Sequence, residues 1–244
     1  MTVMHRTLHC IALRTIKYNE RHSILSAYSL ETGKVSFLIP AGAGREAARR
    51  RALLMPLGLF ECEAHLRHGQ ELYTMSQPRA EMALHGIYAH PVKSALAMFV
   101  AEVLGVVVRD SGPDELLYEF LRQSIERLND ASVSVANFHI CFLYRLGRFI
   151  GIEPDVTTYE PGRVFDMVDG TFRLTAPMHQ HFLSPEESAV LAKLSRITFD
   201  NMHLYRFNRD NRRQLLAQML EYYTLHYASL SSLKSLDVLT ALFD

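Results

Sequence analysis

The chain has 244 residues, 48% of them apolar, with 26 basic and 26 acidic side chains and a formal net charge of zero. That composition excludes a disordered polymer and leaves room for one large domain or two modest ones. No charge-free apolar run reaches the roughly 18 residues a membrane-spanning helix needs. The three cysteines, Cys10, Cys62 and Cys141, lie far apart in sequence, exclude a C-x-x-C zinc site and read as buried reduced thiols. The zero hides a split: residues 1–80 carry eleven Lys/Arg against six Asp/Glu, a surplus of five, and residues 81–244 carry fifteen against twenty, a deficit of five. The opening residues, with His5, Arg6 and His9, form no apolar signal core, which points to a cytoplasmic protein.

In chain order, Leu8 to Ile16 and Ser23 to Leu30 read as strands. Glu31-Thr32-Gly33-Lys34 is a turn in which Gly33 supplies a positive φ. Lys34 to Ile39 alternates, with Val35, Phe37 and Ile39 on one face, and Pro40 stops it. The segment PAGAGREAARRR reads as a cationic loop. Phe60, Cys62, Ala64 and Leu66 then share one face of a strand, with Glu61, Glu63, His65 and Arg67 on the other. His68-Gly69 turns into a fifth strand, Glu71 to Ser76. Five short strands in about 75 residues have the size of a small five-stranded barrel.

After Pro78 the period becomes helical. One helix opens at Pro91, a second near Asp114, and a third carries Phe138 to Ile150 and ends at Gly151. Residues 152–183 are irregular, with a small hairpin turning at Asp169-Gly170. Ser184-Pro185-Glu186-Glu187 is a capping box opening a helix that should reach about Phe199. A long helix spans about Asp210 to Tyr227, and the tail from Leu233 to Phe243 is apolar at helical spacing. The expected fold is α+β, a barrel domain over 1–80 followed by an all-α domain over 81–244 with a hairpin insertion.

The chemistry resides in the cations. Arg14, Lys17, Lys34, Arg45, Arg49, Arg50 and Arg51 all lie in the barrel half, and guanidinium forks match phosphate oxygens well. Among the nearby aromatics Tyr18, at a strand end, is the best candidate to stack on an unpaired base, ahead of Tyr28 and Tyr73, while Phe37 belongs to the core pattern. A run such as Arg49 to Arg51 also fits a merely solvated turn. A second group, Arg206, Arg209, Arg212 and Arg213, opposes the dipole of its helix N-terminus and so fits a phosphate or an acidic peptide, or neutralisation by Asp200 and Asp210. No P-loop, nucleophile elbow or carboxylate cluster is present, which argues against an enzyme. His179 and His181 read as surface histidines, not as metal ligands.

The order of parts resembles the RecO family of bacterial recombination mediators. The resemblance is carried by Leu13-Arg14-Thr15, Asn19-Glu20-Arg21, Gly33-Lys34, Gly42 to Arg51, Glu71-Leu72-Tyr73, FLYRLGRFIGIEP, and the closing Arg212, Tyr223 and Lys234-Ser235. It implies an N-terminal OB-fold that binds and anneals DNA strands. It also implies work with RecR to load RecA on single strands coated by SSB, at the nucleoid. The acidic SSB tail would dock on the helical domain, with Arg145, Arg148, Arg206, Arg209, Arg212 or Arg213 as carboxylate partners. Many members carry zinc-binding cysteine pairs, but Tyr159 to Pro177 has none, so no metal or cofactor is expected, and Phe165, Val168, Phe172 and Leu174 would hold the hairpin by packing. An RNA-binding OB protein and a protein-only adaptor remain open alternatives.

Overall fold

The computed structural model describes residues 3–67, 69–227, 230 and 233–242. The strands β1 (Val3–Lys17), β2 (His22–Ser29), β3 (Gly33–Pro40), β4 (Leu59–Arg67) and β5 (Thr74–Ala80) form an antiparallel sheet in the order β3-β2-β1-β4-β5. Its inner face follows the period-2 pattern: Leu8, Cys10, Ala12, Leu25, Ala27, Val35, Phe37, Ile39, Phe60, Cys62 and Ala64 make one buried cluster. The sheet curls but does not close as a barrel. Tyr73, just before β5, makes a single bridge to β3, donating to Ser36 O at 2.9 Å and accepting from Leu38 N at 2.8 Å. The fifth strand begins at Thr74 instead of Glu71 and runs through Pro78. That position is tolerable because β5 is an edge strand, where a missing N–H need not break a ladder. The expected His68-Gly69 turn includes His68, which lies outside the described residues.

The arginine-rich segment is not a loop. It forms α1 (Arg45–Leu53), whose Ala and Arg residues are good helix formers, with Glu46 in the first turn and Gly44 at φ +91° before it. The glycines of PAGAG suggested a loop for the whole stretch, yet they lie outside the helix.

The chain divides into two compact units. The first comprises residues 1–130 with 233–239, so α2 (His85–Tyr88), α3 (Pro91–Val107) and α4 (Glu115–Asp130) accompany the sheet. Pro91 opens α3, and Asp114 Oδ1 accepts from Leu117 N at 2.9 Å to cap α4. The β2–β3 turn meets the α3–α4 connection: Lys34 N donates to Ser111 O at 3.1 Å, and the buried Tyr28 hydroxyl to Gly112 O at 3.3 Å. The last helix, α8 (Ser235–Leu242), begins in this unit, with Ser235 N and Oγ donating to the Glu102 carboxylate of α3 at 2.8 and 2.6 Å. Phe243, placed on this helix by its apolar spacing, lies outside the described residues.

The second unit comprises residues 131–232 with 240–244. Its core helix is α5 (Phe138–Phe149), followed by Gly151 at φ +75°. It is not all-α, because β6 (Val164–Asp166), β7 (Thr171–Arg173) and β8 (Phe182–Leu183) form a three-stranded antiparallel sheet in the order β7-β6-β8. The expected hairpin is β6–β7. Phe165 and Phe172 do pack, with ring centroids 4.9 Å apart, but Val168 and Leu174 are exposed. The turn is organised instead by the buried Asp166 carboxylate, which accepts from Val168 N at 2.9 Å and pairs with Arg173 Nε at 3.0 Å and His179 Nε2 at 3.3 Å. Helix α6 (Pro185–Leu194) has the expected capping box but stops at Leu194, short of Phe199. Beyond it Thr198 N donates to Asn201 Oδ1 at 2.7 Å and Asn201 N to Thr198 Oγ1 at 3.2 Å, and such local side-chain bonds compete with helical ones. Helix α7 (Arg209–His226) is capped by Asn208 and anchored by the Tyr223 hydroxyl donating to Leu143 O at 2.5 Å.

Two tests follow from these contacts. Gly33 has φ +71°, and a Cβ there would lie 2.3 Å from the Gly112 carbonyl carbon. Gly33→Ala is expected to cost more than about 2 kcal/mol in denaturant unfolding, left-handed backbone and clash acting together. His9 Nδ1 lies 2.6 Å from Glu31 Oε1. The hydrogen bond to Glu31 raises the His9 pKa. Burial pushes Glu31 up, but bonds from the His9 side chain, the His9 backbone and Ser29 outweigh it, and its pKa is lowered. The stabilisation from His9 is present below its unfolded pKa of 6.5 and fades as pH rises through its raised folded value; that from Glu31 is present above 4.5 and fades as pH falls through its lowered one. The stability deficit of His9→Ala should therefore be largest between pH 4.5 and 6.5, and below about 1 kcal/mol because the imidazole is 42% exposed.

Candidate nucleic-acid interface

Strand β1 positions the first cation. Cys10 to Lys17 pair with β2, but the register shifts between Ala12 and Arg14, so Leu13 has no partner on that side. Such a bulge re-aims the residues after it. Leu13 is buried and Arg14 is exposed at the sheet end. The same end is tied to the exit of α1, where Ala12 N donates to Gly58 O at 2.9 Å and Leu57 N to Ala12 O at 2.7 Å. The β1–β2 turn is tied to the entrance of α1, with Ala41 N donating to Arg21 O at 2.7 Å.

Between this sheet end, α1, α3 and the start of α8 lies a cleft of about 710 Å³. Arg14, Arg50, Arg51 and Lys234 line it, with Glu102 as the one carboxylate among the lining residues. Four cations against one carboxylate make the cleft cationic, and Glu102 accepts from Ser235 N and Oγ. Arg50 donates to Pro40 O at 2.9 Å and Arg51 to Gly42 O at 3.0 Å, each through one of five guanidinium N–H groups. These bonds fix the guanidinium positions and leave donors for a ligand. Nothing in the sequence marks Lys234 as part of this cationic group, because it sits in the C-terminal tail, far in sequence from the sheet it joins. Its place in the closing Lys-Ser pair marks it only for the family resemblance.

The other cations do not all converge. Lys17 and Tyr18 are exposed at the β1–β2 turn, Tyr18 at 61%. Arg45 is the exposed first residue of α1, and Arg49 lines a different stripe of that helix. Lys34 stands at the far end of β3, seven residue steps of extended chain, roughly 23 Å, from Ala41. It is half-buried and donates to Ser36 Oγ at 3.0 Å, and burial lowers its pKa against the opposing charge of Asp110. Tyr28 and Phe37 are fully buried and offer no face to a base, while Tyr73 is half-buried in its bridge to β3.

In the second unit Arg145 donates to Ile197 O at 2.7 Å and Arg212 to Phe207 O at 2.6 Å, so both serve the fold. Arg148, Arg206, Arg209 and Arg213 are exposed. The unit also contains a narrow apolar pocket of about 30 Å³, lined by residues including Leu143, Leu191, Met219 and Tyr222 and by none of these six arginines. His139 is buried beside Arg212, and burial, then that charge, pull its pKa down to about 3, so it is neutral at physiological pH. His179 and His181 have ring centroids 6.1 Å apart and turn to Asp166 and Glu221 respectively. Among the described residues no three His, Cys, Asp or Glu side chains are grouped to hold a metal ion, and Tyr159 to Pro177 lacks cysteine. Cys10, Cys62 and Cys141 are buried free thiols; burial raises the pKa of Cys10, and that of Cys141 to about 12. Among the described residues no helix is long and apolar enough to cross a membrane.

The architecture defines a class: a curled five-stranded antiparallel sheet carrying a cationic helix between its third and fourth strands, followed by a mainly helical part. The sequence model described as Recombination protein O N terminal matches residues 4–81, and that described as Recombination protein O C terminal matches residues 89–237. The DNA repair protein RecO of Bacteroides fragilis is 37% identical over 235 residues, 96% of this chain and 97% of that protein. That of Porphyromonas gingivalis is 37% identical over 240 residues with the same coverage, and that of Christiangramia forsetii 27% identical over 234. The chain belongs to the recombination protein O family.

Proposed function

We propose that this protein is a non-catalytic mediator of DNA repair and recombination that binds DNA strands and anneals them. With RecR it would help load RecA onto SSB-coated single strands at the nucleoid. The observation that carries the DNA reading is the cleft in which Arg14, Arg50, Arg51 and Lys234 meet with one engaged carboxylate. Phosphate contacts of this kind supply affinity without sequence preference, and they bring two strands together by neutralising their mutual repulsion. Lys17, Arg45 and Arg49 would extend the cationic surface, Tyr18 would stack on an unpaired base, and Lys34 would act at the far end of β3.

A salt series tests this reading. Four phosphate contacts give log K against log salt a slope near −2.8 on single strands, and removing two should reduce its magnitude by about 1.4. We expect Arg14→Ala with Arg51→Ala to show that reduction in fluorescence anisotropy. A salt-independent signal would reject the electrostatic reading. A strong preference for RNA oligonucleotides would favour an RNA-binding role, and no binding even at low salt would favour a protein-only adaptor.

The exposed Arg148, Arg206, Arg209 and Arg213 support a role for the second unit in holding the acidic SSB tail. Arg145 and Arg212 would contribute through guanidinium groups already fixed by Ile197 O and Phe207 O. Calorimetric titration of the full chain with an acidic peptide ending in Asp-Phe should give binding that weakens at least fivefold in Arg206→Ala with Arg213→Ala. Unchanged affinity would remove those two residues from the site.

A further inference from the structure

Helix α1 has a second cationic side. Beside the cleft already described, on a neighbouring stripe of the helix, lies another of about 980 Å³, between α1, β5 and the segment that leads into α2. Arg49, Arg50 and Arg79 line it with His85 and Gln77, and Glu46 is the one carboxylate among its lining residues. Arg79 is exposed at the end of β5, its Nη2 3.3 Å from Gln77 Oε1.

The two clefts use two stripes of one helix. Ala47, Arg50, Arg51 and Leu54 face the first, and Glu46, Arg49, Arg50 and Leu53 face the second. Each set has the spacing i, i+3, i+4, i+7, and the sets are offset by one residue, or 100° around the helix axis. Arg50 belongs to both. The triplet Arg49-Arg50-Arg51 therefore gives each side an arginine of its own and one that is shared.

We propose that the second cleft is a second binding site for a nucleic-acid phosphodiester backbone, so that two DNA strands are held side by side along neighbouring stripes of α1. This deepens the annealing function proposed above and rests on it. An α-helix with its side chains is about 10–12 Å across, so two phosphate rows seated on stripes 100° apart would lie about 8–9 Å from each other at the helix surface. That spacing is little more than the Debye length of about 8 Å at physiological salt, so the residual repulsion is what the arginines between the rows would cancel. Separate tracks also leave the base edges of two strands free to meet beyond the helix end.

The test uses the full-length protein with two short complementary oligonucleotides. Strand stoichiometry is read by native mass spectrometry and annealing by fluorescence quenching. We expect the unaltered protein to bind two non-complementary single strands per chain. Arg49→Ala with Arg79→Ala should bind one, with the annealing rate reduced about tenfold. Arg14→Ala with Arg51→Ala should likewise bind one. Arg49→Lys with Arg79→Lys keeps the charge and should restore two-strand binding, which separates loss of a phosphate contact from loss of fold. One strand per chain in the unaltered protein, or unchanged stoichiometry and annealing in Arg49→Ala with Arg79→Ala, would overturn the second site while leaving DNA binding by the first intact. No binding by the unaltered protein at low salt would overturn both readings.

Discussion

The pairing of β1 is the constraint on which the sheet and its clefts depend. This fifteen-residue strand pairs with β4 along Val3 to Ile11 and with β2 along Cys10 to Lys17, so only Cys10 and Ile11 have a ladder partner in both strands. A strand shared in this staggered way forces the sheet to curl, because its two halves carry different neighbours around one apolar face. The shift at Leu13 lets Leu13 turn into the protein and Arg14 out of it. Without that shift the alternation after Ala12 would run on unbroken, and the first cation would lose its place.

Electrostatics then acts locally. The five extra cations of residues 1–80 would be weak if scattered, since charges more than a Debye length apart in water are largely screened. Helix α1 concentrates them. Two of its arginines are fixed by backbone carbonyls of the segment that enters it, and the nearest carboxylate in the first cleft is engaged by Ser235. The same economy appears in the second unit, where the buried Asp166 gathers backbone amides, Arg173 and His179 around one turn. A carboxylate network centres this turn, in a segment, residues 159–177, that contains no cysteine.

Much of this was legible in the residues. The alternation of Val35, Phe37 and Ile39, and of Phe60, Cys62, Ala64 and Leu66, marks an inner face. Ser184 with Glu187, Pro91 and Gly151 mark helix ends, because propensity, capping and backbone conformation are local properties. What misled was also local. Two glycines disguised the helix behind them, and the periodicity after Leu194 concealed the Thr198–Asn201 bonds that end α6. The strand expected to end at Ser76 runs on through Pro78, because whether a neighbour needs the N–H that proline lacks is decided by sheet order.

By itself, the sequence determined the strands, most of the helices, the glycine-dependent turn at Gly33, the reduced thiols and the excess of cations in the sheet half. All of these depend on near neighbours in the chain or on composition. The tertiary structure alone decided that the sheet stays open, that residues 85–130 join the sheet's compact unit, that Lys34 lies far from the arginine helix, and that Lys234 meets Arg14 across 220 positions. Whether cations converge or disperse depends on which surfaces bury against one another. That choice is made by the summed apolar area of the whole fold, not by any segment within it.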